Sequence, residues 1–138
     1  MSAPFVHELR VRYAECDMQG HVFNAHYFTW IDIAHLELMR VAVGPHEQLL
    51  ASGADYVVAE ESARFLGAAR FDDTVSIAVA LDPLGNSSMT SRHRMLRGDE
   101  LLVEAWVRHV CVDPATHAKR PWPDRVRTAL APYVVEPA

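Results

Sequence analysis

The sequence has no apolar run near the ~18 residues that a membrane-spanning helix needs. Its start, MSAPFVHELR, lacks the apolar core of a signal peptide and goes straight into strand-like alternation. Cysteine is scarce: Cys16 and Cys111 are too few for a disulfide scaffold and fit a reducing compartment. Positive charge is not in excess, since 13 Lys+Arg against 18 Asp+Glu give −5, which argues against a general binder of phosphate backbones. Repeats, low-complexity stretches and domain linkers are missing as well. What is present is globular composition, half hydrophobic and 22% charged, in 138 residues, the size of one ordinary domain. The expectation is a single domain over residues 1–138, cytoplasmic, engaging neither nucleic acid nor membrane.

Phe5 to Tyr13 alternates: Phe5, His7, Leu9, Val11 and Tyr13 fall on one side of a strand, with Glu8, Arg10 and Arg12 on the other. Ala14 to Phe23 breaks the alternation. Asn24 is suited to cap a helix, its side-chain oxygen accepting an unpaired N–H. From it runs the one long helical pattern, Tyr27, Trp30, Ile31, Ala34, Leu38 and Val41, widened by Phe28, Leu36 and Met39. That stripe predicts a largely buried helix. Gly44-Pro45 stops it, and His46 to Ser52 adds one short helical turn.

After Gly53 the period becomes two. Strands are expected over Tyr56–Phe65, Thr74–Leu81, Ser88–Leu96 and Leu101–Val112, with Arg97-Gly98-Asp99-Glu100 closing a hairpin. The proline-bearing tail from Asp113 reads as loop with a short helix near Arg127. Strand, buried helix, then four strands is an α+β arrangement in which an antiparallel sheet wraps one helix. The open sheet edges predict pairing with a second copy.

Reactive side chains crowd into Tyr13-Ala-Glu15-Cys16-Asp17-Met-Gln-Gly20-His21-Val-Phe-Asn24-Ala-His26-Tyr27, the loop before the helix and its first turn. N–H groups at a helix start are unpaired and carry partial positive charge, so they can hold a carbonyl or a developing oxyanion. A carboxylate beside them, as Asp17 is placed to be, serves as base or nucleophile. Gly20 lets a substrate approach the backbone. The structural alternative is that Asp17 merely interacts with the helix N-terminus and Gly20 merely makes a turn. Cys16, Asp17, His21 and His26 offer metal ligands, but with neither C-x-x-C nor H-x-x-x-H spacing no metal site is expected.

The run VRYAECDMQGHVFNAHYFTWIDIAHLELMR resembles the first motif of hotdog-fold acyl-CoA thioesterases, the 4-hydroxybenzoyl-CoA thioesterase-like group. The likeness continues through ARFLGAARFDDTVSI, NSSMTSRHRMLRGDELLVEAWVRHVCVD and AKRPWPDRV, covering nearly the whole chain. The resemblance implies a hotdog fold, a five-stranded antiparallel sheet around one central helix. It implies hydrolysis of an acyl-CoA thioester to a carboxylic acid and free CoA.

Carried over by motif, Asp17 is the catalytic carboxylate, acting as nucleophile or as base toward water. The backbone N–H near Asn24 polarises the thioester carbonyl, and His21 lines the pocket mouth or orients Asp17. Tyr27 and Asp32 match recurrent positions. Glu61 is held in reserve, because a second branch of the fold carries its acid on the strand after the helix. Coenzyme A needs basic partners for its phosphates, for which Arg92 and Arg94 on one strand face, Arg64, Arg70, Lys119 and Arg120 are candidates, with Ser88 in the segment that often touches that moiety. Asn24 stands where the 4-hydroxybenzoyl-CoA enzyme has Tyr, which argues against that aromatic substrate. No cofactor is expected, coenzyme A being part of the substrate, and the implied assembly is a homodimer or a pair of such dimers. Two other readings stay open: a thioesterase acting on acyl carrier protein, and a non-catalytic acyl-CoA-binding hotdog protein.

Overall fold

Alternating and helical patterns resolve into one sheet and one long helix in the computed structural model, which describes residues 4–136. The elements are β1 (Phe5–Arg10), α1 (Ala25–Ala42), α2 (His46–Ala51), β2 (Asp55–Phe65), β3 (Thr74–Leu81), β4 (Ser88–Arg97), β5 (Glu100–Val112) and α3 (Asp124–Leu130). Three-residue 3₁₀ turns occupy Tyr13–Glu15 and Ala131–Tyr133. The strands form one antiparallel sheet in the order β1-β3-β4-β5-β2, leaving β1 and β2 at the edges.

The period-two strands bury one face completely. Val75, Ile77, Val79 and Leu81 of β3 and Val103, Ala105, Val107 and Cys111 of β5 are closed from solvent. Against this face lies α1, whose Trp30, Ile31, Ala34 and Leu38 are also closed. Burying such side chains, at about 25 cal/mol per Å² of apolar surface, is what holds helix to sheet. The β4–β5 hairpin turns where expected, with Gly98 at φ +60° supplying the left-handed residue.

Three expectations need correction. Tyr13 is 81% exposed, because the chain leaves β1 at Arg10 and turns before reaching it. Val41 is 62% exposed and Leu36 and Ile33 are open too, so α1 keeps an uncovered flank beyond the sheet. His35 instead joins the buried stripe, at 2% exposure. None of the helices among the described residues is long and apolar enough to cross a membrane.

Candidate active site

Residues 15–23 fold back on themselves as a miniature hairpin. Phe23 donates its N–H to Glu15 O (2.9 Å), Asp17 donates to His21 O (2.8 Å), and Gly20 closes the turn by donating to Asp17 O (3.0 Å). Gly20 sits at φ +78° with open space where a Cβ would stand, so its requirement is conformational. The Asp17 carboxylate accepts the Gln19 N–H at 2.9 Å, locking its orientation at the tip of the turn. Its other oxygen accepts from no group among the described residues.

Two anchors tie this loop to the core. Glu15 accepts the indole N–H of buried Trp30 (2.7 Å) and the Arg12 N–H (2.8 Å). On the far side, Val22 donates to Ala69 O (2.9 Å), while the Ala69 N–H donates to the Tyr27 hydroxyl (3.0 Å). Burial pushes the Tyr27 phenol upward in pKa, against the Ala69 hydrogen bond that lowers it, so it stays neutral. Arg97 braces the same segment, donating to Ala68 O (3.1 Å) and Asp73 (2.7 Å).

The result is a cleft of about 420 Å³ lined by Asp17, Gln19, His21, Val22, Phe23, Asn24, Tyr27, Phe65, Gly67 and Ala68. At its helical end the His26 and Tyr27 N–H groups donate to Phe23 O and Asn24 O. The N–H groups of Asn24 and Ala25 donate to no acceptor among the described residues, so the start of α1 offers open donors beside the Asp17 carboxylate. The Asn24 side chain makes no capping bond, contrary to expectation, because its backbone is already helical (φ −56°, ψ −30°). Asp17 does not cap the helix either; its bond goes to Gln19. That bond holds the turn, and the second carboxylate oxygen is left over for other partners.

Asp17, His21, Asn24 and Tyr27 are therefore brought together, with Gly20 shaping their turn. His21 meets Asp17 through its backbone carbonyl, and no side-chain hydrogen bond joins the two. Asp32 lies farther along α1, and Glu61 faces α1 from the middle of β2, away from Asp17. Of the candidates for coenzyme A phosphates, Arg70 forms a backbone bridge with His21 at the edge of the cleft, while Arg92, Lys119, Arg120 and Ser88 lie apart from it. Arg92 pairs with Asp82 (2.9 Å) and donates to Val135 O (3.0 Å) on the sheet face opposite α1. Arg120 donates to Gly53 O and Pro121 O, Lys119 is exposed beside Val112, and Ser88 accepts the Trp122 indole N–H on its carbonyl (3.1 Å). Sequence reasoning missed Phe65, Gly67 and Ala68 as cleft residues, since nothing in their local pattern says that the chain after β2 returns to the start of α1. Cys16 stays a free, half-buried thiol 3.8 Å from Arg12 O, and no metal-binding cluster forms among the described residues.

A family model described as the thioesterase-like superfamily matches residues 11–130. The acyl-CoA thioester hydrolase YbgC of Escherichia coli O6:H1 is 29% identical over 119 residues, covering 86% of this chain and 89% of that protein. The acyl-CoA thioesterase YbgC of Haemophilus influenzae is 25% identical over 127 residues, 91% of this chain and 93% of its own. Among solved structures, a hypothetical protein of Thermus thermophilus superposes with a TM-score of 0.85 at 29% identity, covering 96% of this chain and 98% of that one. The helix-wrapping sheet is thus the hotdog fold, and the chain belongs to the thioesterase-like superfamily as a thioester hydrolase.

Proposed function

We propose that this protein hydrolyses acyl-CoA thioesters, R–CO–S–CoA, to the carboxylic acid and free CoA. The observation that carries the reading is that the Asp17 carboxylate shares one cleft with Asn24, at the start of a helix whose first N–H groups are open. The thioester carbonyl points its oxygen at those N–H groups, which stabilise the negative charge that develops there as the carbonyl carbon is attacked. Asp17 either takes a proton from the attacking water or attacks the carbon itself, forming an anhydride that water then opens. In both routes the C–S bond breaks and the thiolate of CoA leaves. The reaction asks for a base and an oxyanion site and for no further group. The names of the YbgC relatives, acyl-CoA hydrolases in two bacteria, support coenzyme A as the carrier.

The assembly that suits this site is a homodimer across β2. That strand is a sheet edge of 11 residues with unpaired backbone groups, and Val57, Val58 and Phe65 are exposed along it, with Leu66 just beyond its end. A second copy there covers the open seam between α1 and β2, and the acyl group lies in that seam, between the helix and the partner's sheet. The test is CoA release from matched acyl-CoA and acyl-carrier-protein substrates, with oligomeric state measured in parallel. A higher kcat/KM on acyl-CoA is expected. Preference for the carrier-protein thioester would reassign the substrate, and thermal stabilisation by an acyl-CoA that is never hydrolysed would make the protein a binding module.

A further inference from the structure

The side of β2 that faces α1 is set by its register. Phe65, Ala63, Glu61, Val58 and Tyr56 stand opposite Val103, Ala105, Val107, His109 and Cys111 of β5, and these five β5 side chains are buried on the helix side. The seam between α1 and β2 therefore runs from one cavity to another. At one end Phe65 meets Tyr27 and Phe28, ring centroids 5.6 and 6.4 Å apart, beside the Asp17 cleft. At the other end Tyr56 meets His35 and His109 edge to face, at 5.2 and 5.1 Å. Here a second cavity of about 230 Å³ is lined by Asp32, His35, Tyr56, Val58 and His109.

This second cavity is polar where a hydrophobic core would close. His35 is 2% exposed, yet neither ring nitrogen has a hydrogen-bond partner, and Nδ1 of His109 has none. The two rings stack at 4.0 Å and 20°. Burial holds His109 down to about 4 and His35 well below its ordinary value, so both rings are neutral near pH 7. A neutral imidazole carries one donor and one acceptor, and leaving both unpaired inside a protein is costly.

The chemistry of the lining selects among occupants. Nearly parallel rings aim their lone pairs side by side, which does not converge on a metal ion, and no metal-binding cluster forms among the described residues. A carboxylate is repelled by Asp32 and Glu61, both already raised in pKa by burial, Glu61 also by Asp32 itself. An ammonium only donates and an alkyl end does neither. A hydroxyl accepts from one ring nitrogen and donates to another or to Asp32.

We infer that this pocket takes the far end of the acyl chain and selects a terminal hydroxyl, with His35, Tyr56 and His109 as specificity-determining residues. The inference rests on the acyl-CoA reading of the Asp17 cleft. From Asn24 to His35 the helix rises about 16 Å at 1.5 Å per residue. An extended chain covers that in about thirteen bonds, at roughly 1.2 Å per bond. The substrate class is an ω-hydroxyacyl-CoA of medium chain length.

The experiment compares dodecanoyl-CoA with its ω-hydroxy, ω-amino and ω-carboxy analogues on the wild type, Tyr56→Phe and His35→Phe. The wild type is expected to favour the ω-hydroxy substrate over dodecanoyl-CoA by about tenfold or more in kcat/KM. Both substitutions should bring that ratio, read within each enzyme, toward one. Equal or better turnover of dodecanoyl-CoA by the wild type overturns the proposal and leaves the pocket to water. A preference for the ω-amino substrate overturns it in favour of a cation site. Should the wild type release CoA from none of them, the thioesterase reading fails, and calorimetry with non-hydrolysable CoA thioethers then decides the pocket. Tighter binding of the ω-hydroxyalkyl than the alkyl thioether supports it, and equal binding overturns it.

Discussion

Lowering the pH from 7 to 5 is expected to remove about 2 kcal/mol of folding stability for each of His93 and His109. Burial holds both rings near 4, against 6.5 for a free imidazole, with the charge of His109 lowering His93 further. The folded state thus keeps them neutral while the unfolded chain takes up protons below 6.5. Their contribution is present above 6.5 and is lost as the pH falls toward 4. At about 1.4 kcal/mol per pH unit, the interval between 6.5 and about 4 sets a ceiling of roughly 3.4 kcal/mol per ring. His35, wholly buried against His109, acts in the same direction. The assay is urea unfolding at pH 7, 6 and 5 at one fixed protein concentration, because an oligomer's stability depends on it. His93→Leu removes one titrating ring and should flatten the pH dependence by about 2 kcal/mol over this range. A curve for His93→Leu parallel to the wild type would refute the reasoning.

Three further substitutions probe the frame of the cleft. Tyr27→Phe strands the fully buried Ala69 N–H and should cost about 1–3 kcal/mol in denaturant unfolding. Glu15→Gln weakens the ties to Trp30 and Arg12; steady-state kinetics should show kcat falling while KM stays near the wild-type value, the signature of a positioning residue. Gly20→Ala forces a side chain into a left-handed turn and should lower stability by about 1–2 kcal/mol, read as a drop in Tm.

Much of this architecture was legible because period and punctuation agree. Gly44-Pro45 ends α1, Gly98 turns the hairpin, and β3 alternates without exception. Tyr13 and Val41 misled because a periodic match says nothing about where the chain leaves the sheet or which helical flank lies beyond its edge. His35 went unnoticed because one histidine in an apolar helix looks like a surface residue until His109 and Tyr56, more than twenty residues away, are placed against it. In the site, Asp17, His21, Asn24 and Tyr27 are neighbours in sequence, so a local motif sufficed to find them. Phe65 and Ala68 reach the cleft only through the β2–β3 connection, and Arg92 and Arg120 were named by charge alone, which carries no address.

The most direct test of the central claim is CoA release by Asp17→Asn, on the acyl-CoA that the wild type turns over best. Asparagine can still accept the Gln19 N–H, so the turn and the fold should persist, with Tm close to the wild type. Turnover should fall by about a hundredfold to ten-thousandfold, the contribution of a positioned acid–base group. A well-folded Asp17→Asn protein with turnover near that of the wild type would contradict the account and move the chemistry to another residue.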